Sequence, residues 1–221
     1  MSKVIKSNDR PVILVGGGDI NWPVLQDYLD RGYPVIAADG ATNLLIKNNI
    51  LPDLIIGDLD SIGDQMNFPQ STTVIKIDEQ NSTDFEKCLY SIAAPAFVGF
   101  GFLGKRFDHS LAALHILAKY CSEKTIRLID MLDTVFVTRG TVNLALPIGS
   151  RVSVFPLGKV TFEMSSGLEY PLDGLTMEIG QASGTSNKST EAQVQIRPSA
   201  NTEAPYAVIV SSENHAFEMK S

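Results

Sequence analysis

Two aspartates, Asp58 and Asp60, directly follow a short apolar run, Leu54-Ile55-Ile56, that ends at Gly57. A run of this kind is typical of a buried strand in a parallel sheet. Ligands of open α/β sheets bind outside the carboxyl ends of the strands, so both carboxylates are placed to meet one cation there. Carboxylate oxygens suit Mg²⁺, whose coordination is usually completed by waters and substrate phosphates. A turn capped by the two side chains is the alternative, but Gly-Asp-x-Asp-Ser directly after a strand favours the metal site.

A third carboxylate, Asp84, stands at the predicted start of a helix, and Lys87 follows one turn later. Thr83 and Glu86 form a T-x-x-E capping box at the same place. Taken alone, Asp84 is explained by the helix, because a carboxylate is stabilised at a helix N-terminus. Asp84 would also come from the end of a neighbouring strand, so we predict it as a further metal ligand and Lys87 as a phosphate contact.

A second helix start carries cations, in the segment Gly104-Lys105-Arg106-Phe107-Asp108-His109. The N-terminus of a helix is itself an anion site, and an arginine such as Arg106 can hold two phosphate oxygens at once. Asp108 is also a good N-cap, and His109 faces either the site or solvent. These residues predict phosphate binding.

Glycine-rich turns follow two of the predicted strands. Gly99 to Gly104 spells G-x-G-x-x-G, but it lies in the last βα unit, whereas a dinucleotide fold carries this motif in the first. Gly16-Gly17-Gly18 follows the first strand, and neither stretch matches the P-loop pattern. We predict close backbone approach to a phosphate, or simply tight turns, rather than nicotinamide binding.

Strands and helices alternate over the first 130 residues, which predicts a parallel sheet covered on both faces, a Rossmann-like α/β domain. The clearest helix runs from Asp108 to Ser122, with a predicted buried stripe of Leu111, Leu114, Ala118 and Cys121. Predicted strands are Val12 to Val15, Pro34 to Ala38, Leu54 to Ile56, Thr73 to Ile77, Ala96 to Val98 and Thr125 to Ile129, and the other predicted helices are Trp22 to Asp30, Ala41 to Asn49 and Thr83 to Ala93.

Beyond residue 130 only short β-rich runs separated by turns are found, which predicts an antiparallel β-sandwich. We place the domains at residues 1–135 and 136–221. The polar stretch from Gly180 to Thr190 is either a flexible turn or a binding loop. The predicted strands are Thr134 to Thr138, Thr141 to Leu146, Arg151 to Pro156, Lys159 to Glu163, Leu175 to Ile179, Ala192 to Ile196 and Tyr206 to Val210.

Composition excludes several classes of protein. The 221 residues carry 18 basic and 25 acidic side chains, a net charge of −7 that argues against general nucleic-acid binding. The apolar run from Ala93 to Gly104 is too short to span a bilayer, and the first residues lack the apolar core of a signal peptide. Cys88 and Cys121 are predicted as buried thiols. We therefore predict a cytoplasmic protein that binds neither nucleic acid nor membrane.

Taken in order, six segments resemble the thiamine pyrophosphokinase family. Departures from the family pattern are Ala41 in place of a second glycine, Lys105 within a Gly-Gly-Arg motif, Lys188 where an acid is common, and a last strand without its usual preceding glycine. The segments are Ala38-Asp39-Gly40-Ala41, Pro52 to Ser61 (PDLIIGDLDS), Thr83 to Lys87 (TDFEK), Gly104 to His109 (GKRFDH), Gly167 to Leu172 (GLEYPL) and Thr185-Ser186-Asn187.

The resemblance implies transfer of pyrophosphate from ATP to the hydroxyl of thiamine, giving AMP and thiamine diphosphate, in a homodimer with the site between subunits. Alternatives are a pyrophosphokinase acting on another alcohol, such as a hydroxymethylpterin, and a module that binds thiamine or ATP without turnover. The implied roles are Mg²⁺ ligation by Asp58, Asp60 and Asp84, charge neutralisation by Lys87 and Arg106, nucleotide seating by Asp39, Gly40, Asp108 and His109, and thiamine contact by Ser186 and Asn187.

Overall fold

Residues 4–59 and 72–215 are described by the structure, a computed structural model. Asp60, predicted as a metal ligand, lies outside these residues, so its role stays a prediction. The chain divides into two compact units. The first comprises Met1–Ile116 with Lys124–Met131, and the second comprises Leu117–Glu123 with Leu132–Ser221.

In the first unit, six strands pair in parallel in the order β8-β7-β2-β3-β4-β5, and two short strands, β1 and β6, pair with each other. Parallel pairing brings the carboxyl ends of neighbouring strands to one edge of the sheet. The elements are β1 (Lys6–Ser7), β2 (Val12–Val15), α1 (Trp22–Asp30), β3 (Val35–Ala38), α2 (Ala41–Lys47), β4 (Leu54–Gly57), β5 (Thr73–Lys76), α3 (Asp84–Ser91), β6 (Ile92–Ala93), β7 (Phe97–Phe100), α4 (Phe107–Tyr120) and β8 (Ile126–Ile129). The residues of α4 from Leu117 onward belong to the second unit.

Local sequence signals explain where the helices begin. Thr83 caps α3, because its Oγ1 accepts a hydrogen bond from the Glu86 backbone N–H at 3.2 Å, as the capping box predicts. Helix α4 has 14 residues, one fewer than the predicted range 108–122, and its buried face is not the predicted one. Leu111 is half exposed, and the buried side chains are instead Ala113, Ile116 and Leu117.

The second unit contains two antiparallel sheets, in the orders β14-β11-β16-β9 and β10-β15-β12-β13. Side chains from both sheets form one hydrophobic cluster, in which the rings of Phe162 and Tyr206 meet edge to face at 5.2 Å. The elements are β9 (Asp133–Thr138), β10 (Val142–Ala145), β11 (Arg151–Pro156), β12 (Val160–Ser166), β13 (Thr176–Met177), β14 (Gly184–Lys188), β15 (Gln193–Pro198), β16 (Tyr206–Ser211) and a 3-10 helix (Ser212–Asn214).

One strand of this unit was not predicted. Strand β14 lies inside the stretch 180–190, interpreted from sequence as a flexible turn or a binding loop, and it pairs antiparallel with β11. It ends its sheet, so most of its side chains face solvent and only Asn187 is fully buried. Polar composition at an edge strand hides the alternation that marks strands with one buried face.

The two cysteines differ in their surroundings. Cys88, in α3, is fully buried, and burial raises the pKa of its thiol. Cys121 is only half-buried, and its Sγ lies 3.2 Å from the Ala118 carbonyl oxygen. Within residues 4–59 and 72–215, no helix is long and apolar enough to cross a membrane.

Candidate active site

Three predicted site carboxylates follow three neighbouring strands of the first unit. Asp39 comes directly after β3, Asp58 directly after β4, and Asp84 opens the helix that follows β5. Strands β3, β4 and β5 are adjacent and parallel. The three residues therefore stand at the same edge of the sheet, where ligands of such sheets bind.

Asp39 and Gly57 lie in direct contact at this edge. The Asp39 backbone N–H donates to the Ile56 carbonyl at 2.9 Å, and Asp39 is only 3% exposed. A Cβ atom added to Gly57 would lie 2.5 Å from the Asp39 Cβ, closer than any real contact. Glycine at 57 is thus what allows the buried Asp39 to sit beside the segment that carries Asp58.

Lys87 is buried and ion-paired with Asp84. Its Nζ lies 3.1 Å from Asp84 Oδ1, with 3% of the lysine side chain and 38% of the aspartate side chain exposed. A buried ammonium group requires such a partner. The predicted phosphate contact of Lys87 is not tested by this geometry, which shows Lys87 fixing the orientation of Asp84.

Gln80 is a site residue that sequence reasoning missed. Its Nε2 donates to Asp58 Oδ2 at 3.3 Å, from the loop between β5 and α3. A lone polar residue in a predicted loop has no sequence signal that separates it from its neighbours. The contact ties this loop to the carboxyl end of β4.

The glycine-rich turns after β2 and β7 pack against each other. The Gly18 N–H donates to the Gly101 carbonyl at 2.8 Å. The Phe102 ring lies 4.4 Å from the Phe85 ring, centroid to centroid, which joins this loop to the start of α3 beside Asp84. Strand order reverses between β2 and β7, and such switch points are the usual ligand sites of open sheets.

Gly101→Ala is expected to destabilise the protein by about 1–3 kcal/mol, because φ at this position is +72° and a Cβ would lie 2.4 Å from the Gly16 carbonyl oxygen. Urea denaturation measures the loss. Gly17→Ala is the matched control, since a Cβ there meets nothing within 4 Å, and we expect a change within about 0.5 kcal/mol. Equal stability of the two variants would contradict this account of the turn.

Arg106 and Asp108 form a two-pronged ion pair at the start of α4. Arg106 Nε donates to Asp108 Oδ1 at 3.1 Å, and Nη2 donates to Oδ2 at 2.6 Å, with both side chains well exposed. This hydrogen bonding lowers the pKa of Asp108. The edge of the guanidinium formed by Nε and Nη2 is thus occupied by Asp108, whereas Nη1 takes no part in this pair. His109, in the same turn, is exposed.

Lys105 crosses to the other glycine-rich turn. Its Nζ donates to the Gly17 carbonyl at 3.3 Å and lies 3.5 Å from Asp19 Oδ1. Its φ is +49°, in the left-handed region that favours glycine. The family's usual glycine at this position therefore has a conformational reason, and the lysine adds a link between the two turns.

In the second unit, Asn187 holds the backbone of Tyr170. Its Oδ1 accepts from the Tyr170 N–H at 3.0 Å, and its Nδ2 donates to the Tyr170 carbonyl at 2.7 Å. The Tyr170 residue is 62% exposed. Ser186 has φ of +62°, and its N–H donates to Ser153 Oγ at 3.0 Å. Asn187 thus orients an exposed aromatic residue, while its own contact with thiamine stays a prediction.

The described carboxylates suit a hard cation in type. No group of three Asp, Glu, His or Cys side chains able to hold a metal occurs within 4–59 and 72–215, and Asp60 lies outside them. Mg²⁺ is commonly held by one or two carboxylates together with substrate phosphates. Asp58 and Asp84 fit that requirement by chemistry.

Two family models match the chain in order. The model described as the thiamin pyrophosphokinase catalytic domain matches residues 25–129, and the one described as the thiamin pyrophosphokinase vitamin B1 binding domain matches residues 141–201. The chain belongs to the thiamin pyrophosphokinase family. The family recognised from sequence motifs is confirmed, and with it the prediction that this thiamin pyrophosphokinase family member is an enzyme, a thiamine diphosphokinase.

Relatives of the thiamin pyrophosphokinase family agree in sequence and fold. Thiamin pyrophosphokinase 1 of Caenorhabditis elegans is 29% identical over 184 residues, covering 75% of each chain. The crystal structure of thiamin pyrophosphokinase from Geobacillus thermodenitrificans has a TM-score of 0.76 at 23% identity, covering 91% of this chain and 97% of that one. The yeast enzyme has a TM-score of 0.76 at 16% identity, covering 96% and 93%. The α/β fold class is confirmed in this coarse form.

Proposed function

We propose that this chain transfers the pyrophosphate group of ATP to the hydroxyl of thiamine, giving AMP and thiamine diphosphate. The main support for this proposal is that the models of both family domains match the chain, in order, at residues 25–129 and 141–201. In this proposal residues 1–135 form a Rossmann-like domain that binds ATP and Mg²⁺, and residues 136–221 form a β-sandwich that binds thiamine. The strand-end carboxylates of the first unit and the exposed Tyr170 of the second support the division.

The proposed ligands of Mg²⁺ are Asp58, Asp60 and Asp84. When bound, the ion supplies positive charge to the triphosphate, which is the main requirement of phosphoryl transfer besides positioning. Lys87 supports this role through its contact with Asp84, because the buried ammonium group holds that carboxylate in one orientation.

The remaining residues orient the substrates. The thiamine hydroxyl releases its proton, and its oxygen forms a bond to the β-phosphorus while the bond from that phosphorus to the AMP oxygen breaks. Arg106, aligned by Asp108, neutralises charge on the phosphate oxygens. Asp39, Gly40 and His109 seat the nucleotide. Most of the rate enhancement then comes from held geometry and charge rather than from covalent catalysis.

Thiamine is an aromatic cation, and its proposed contacts come from residues after 165. Tyr170 offers an aromatic face, Glu169 a nearby carboxylate, and Ser186 and Asn187 polar groups. An aromatic face attracts a cation. We propose a cytoplasmic homodimer in which these residues meet the aspartates of the partner subunit, so that a twofold interface makes two equal sites.

Complementation tests the shared site. An Asp58→Asn chain and a Tyr170→Ala/Ser186→Ala chain, each inactive alone, are mixed under subunit exchange. Random exchange should restore about a quarter of wild-type activity, because half of the dimers are mixed and each has one intact site. Asn187 is left unchanged, since its side chain supports the backbone. Mixed dimers that form without any recovery would mean that each site is built within one chain.

Product analysis tests the reaction itself. AMP release is measured from ATP and Mg²⁺ with and without thiamine, and the esters formed are identified. Thiamine-dependent AMP with thiamine diphosphate supports the proposal. AMP together with the diphosphate of another alcohol, such as a hydroxymethylpterin, would move the chain to a related pyrophosphokinase. Binding of thiamine or ATP without AMP would leave a non-catalytic binding module.

A further inference from the structure

Glu79 is the centre of a hydrogen-bond cluster in the loop between β5 and α3. Its Oε2 accepts from the Asn81 N–H at 2.7 Å and from the Ser82 N–H at 3.2 Å. Its Oε1 accepts from the Ser82 hydroxyl and, at 3.1 Å, from the Tyr90 hydroxyl. One carboxylate therefore satisfies four donors, which closes the loop into a tight turn around a single side chain.

The donors come both from the loop between β5 and α3 and from α3 itself. Asn81 and Ser82 lie in the loop itself, whereas Tyr90 lies in α3, six residues after Asp84. The hydrogen bond from the Tyr90 hydroxyl ties the turn to α3. The Thr83 side chain caps the same helix and so fixes where it begins. Glu79 thus joins the loop to the helix that presents Asp84.

The turn that Glu79 closes carries Gln80, whose Nε2 donates to Asp58 Oδ2 at 3.3 Å. The same turn leads directly into Asp84, which is held by Lys87. Two of the proposed metal carboxylates are therefore connected through one loop. A shift of that loop would move the Gln80 contact with Asp58 and the start of α3 together.

A carboxylate makes this cluster by accepting at both oxygens, and removing it leaves four donors without their shared acceptor. In Glu79→Gln the amide oxygen can still accept from the two backbone N–H groups, and the NH₂ group can donate to the hydroxyl oxygens, which also accept. Glutamine can therefore keep the cluster, whereas alanine removes it. Hydrogen bonding from Ser82, the largest effect, lowers the pKa of Glu79, consistent with a charged carboxylate in the folded chain.

We propose that Glu79 is a positioning residue for pyrophosphate transfer, which sets the separation of Asp58 and Asp84 by holding the 79–82 turn against Tyr90. This inference rests on the proposed function. In this proposal Glu79 makes no contact with substrate. Its effect on the reaction passes through Gln80 and the start of α3.

Glu79→Ala is expected to lower kcat for AMP release about 10- to 100-fold, since a misplacement of about 1 Å at a reacting site costs on that order, whereas Glu79→Gln should keep more of the activity because its amide can still bond to the same partners. KM for thiamine should change less than about threefold, because thiamine contacts lie elsewhere in the proposal. Hydrogen exchange should speed up at the amides of Asn81 and Ser82, while the β-rich second unit keeps wild-type exchange. Tyr90→Phe should lower kcat less, and the double variant should match Glu79→Ala, because both act on one cluster.

Asp78→Asn is the matched control, since Asp78 lies next to Glu79 but is an exposed partner of Lys76. It should keep wild-type kcat and exchange. Glu79→Ala with wild-type kcat, or additive effects of Glu79→Ala and Tyr90→Phe, would overturn the inference. If Glu79→Ala does not fold, Tyr90→Phe is the deciding variant, and wild-type kcat with wild-type exchange at Ser82 in that variant would overturn the inference. A wild-type protein that releases no AMP would instead overturn the proposed function.

Discussion

Asp58→Asn is expected to lower kcat by about 100- to 1,000-fold, the usual cost of losing one group that stabilises transition-state charge. The amide keeps the shape of the side chain, and its oxygen still accepts from Gln80, so the fold has little reason to change. It lacks the negative charge that a hard cation requires. Steady-state AMP release measures the loss, and urea denaturation should show a change in the free energy of unfolding below about 1 kcal/mol.

The same substitution at Asp60 should give a similar loss if both carboxylates hold Mg²⁺. Asp78→Asn again serves as the control, because it removes an exposed carboxylate from the same unit. Raising the Mg²⁺ concentration should recover part of the activity of Asp58→Asn, since a weakened site fills at higher ion concentration. Full activity of Asp58→Asn at low Mg²⁺ would reject the metal assignment.

Arg106→Ala is expected to lower kcat by about 100- to 1,000-fold, because the guanidinium neutralises charge that develops on the phosphate oxygens. Stability should be nearly unchanged, since Arg106 and Asp108 are both well exposed. Arg106→Lys should recover only part of the activity, because an ammonium group cannot form the planar two-pronged contact. The measurement is kcat and KM for ATP in each variant.

Asp108→Asn separates the two roles of this pair. Asparagine cannot accept at both positions from Arg106, so the guanidinium loses its fixed direction. We expect a smaller loss of kcat than in Arg106→Ala. If Arg106→Ala and Arg106→Lys both behave like wild type, Arg106 is only a solvated residue at the start of a helix.

The alternating half of the fold was predictable because four of its strands, β2, β3, β4 and β7, are fully buried and its helices carry local start signals. Strand β2 and helix α1 have the predicted bounds, and the Thr83 cap lies where the capping box places it. The motifs at Asp58, Asp84 and Arg106 were predictable because each combines a chemical group with the end of an element. Their joint position at one sheet edge follows from parallel topology alone.

What the sequence did not predict depends on contacts between distant residues. Strand β14 was missed because an edge strand keeps polar side chains on both faces. The predicted buried face of α4 was wrong because several sets of its apolar residues recur with the helical period. Only packing against other elements determines that Ile116 and Leu117 are buried and Leu111 is not. The roles of Gln80 and Asn187 depend on partners 22 and 17 residues away, which no local pattern encodes.

The buried thiol of Cys88 makes the opening of α3 measurable by chemistry. Alkylating reagents attack the thiolate, and in the folded chain Cys88 has neither solvent access nor, with its raised pKa, a thiolate at neutral pH. Its labelling therefore requires α3 to separate locally, so the labelling rate reports the free energy of that opening. Cys121, being only half-buried, provides an internal reference on the same molecule. Because α3 begins at Asp84, any ligand that binds this carboxylate will slow the labelling of Cys88, and occupancy can be followed without turnover.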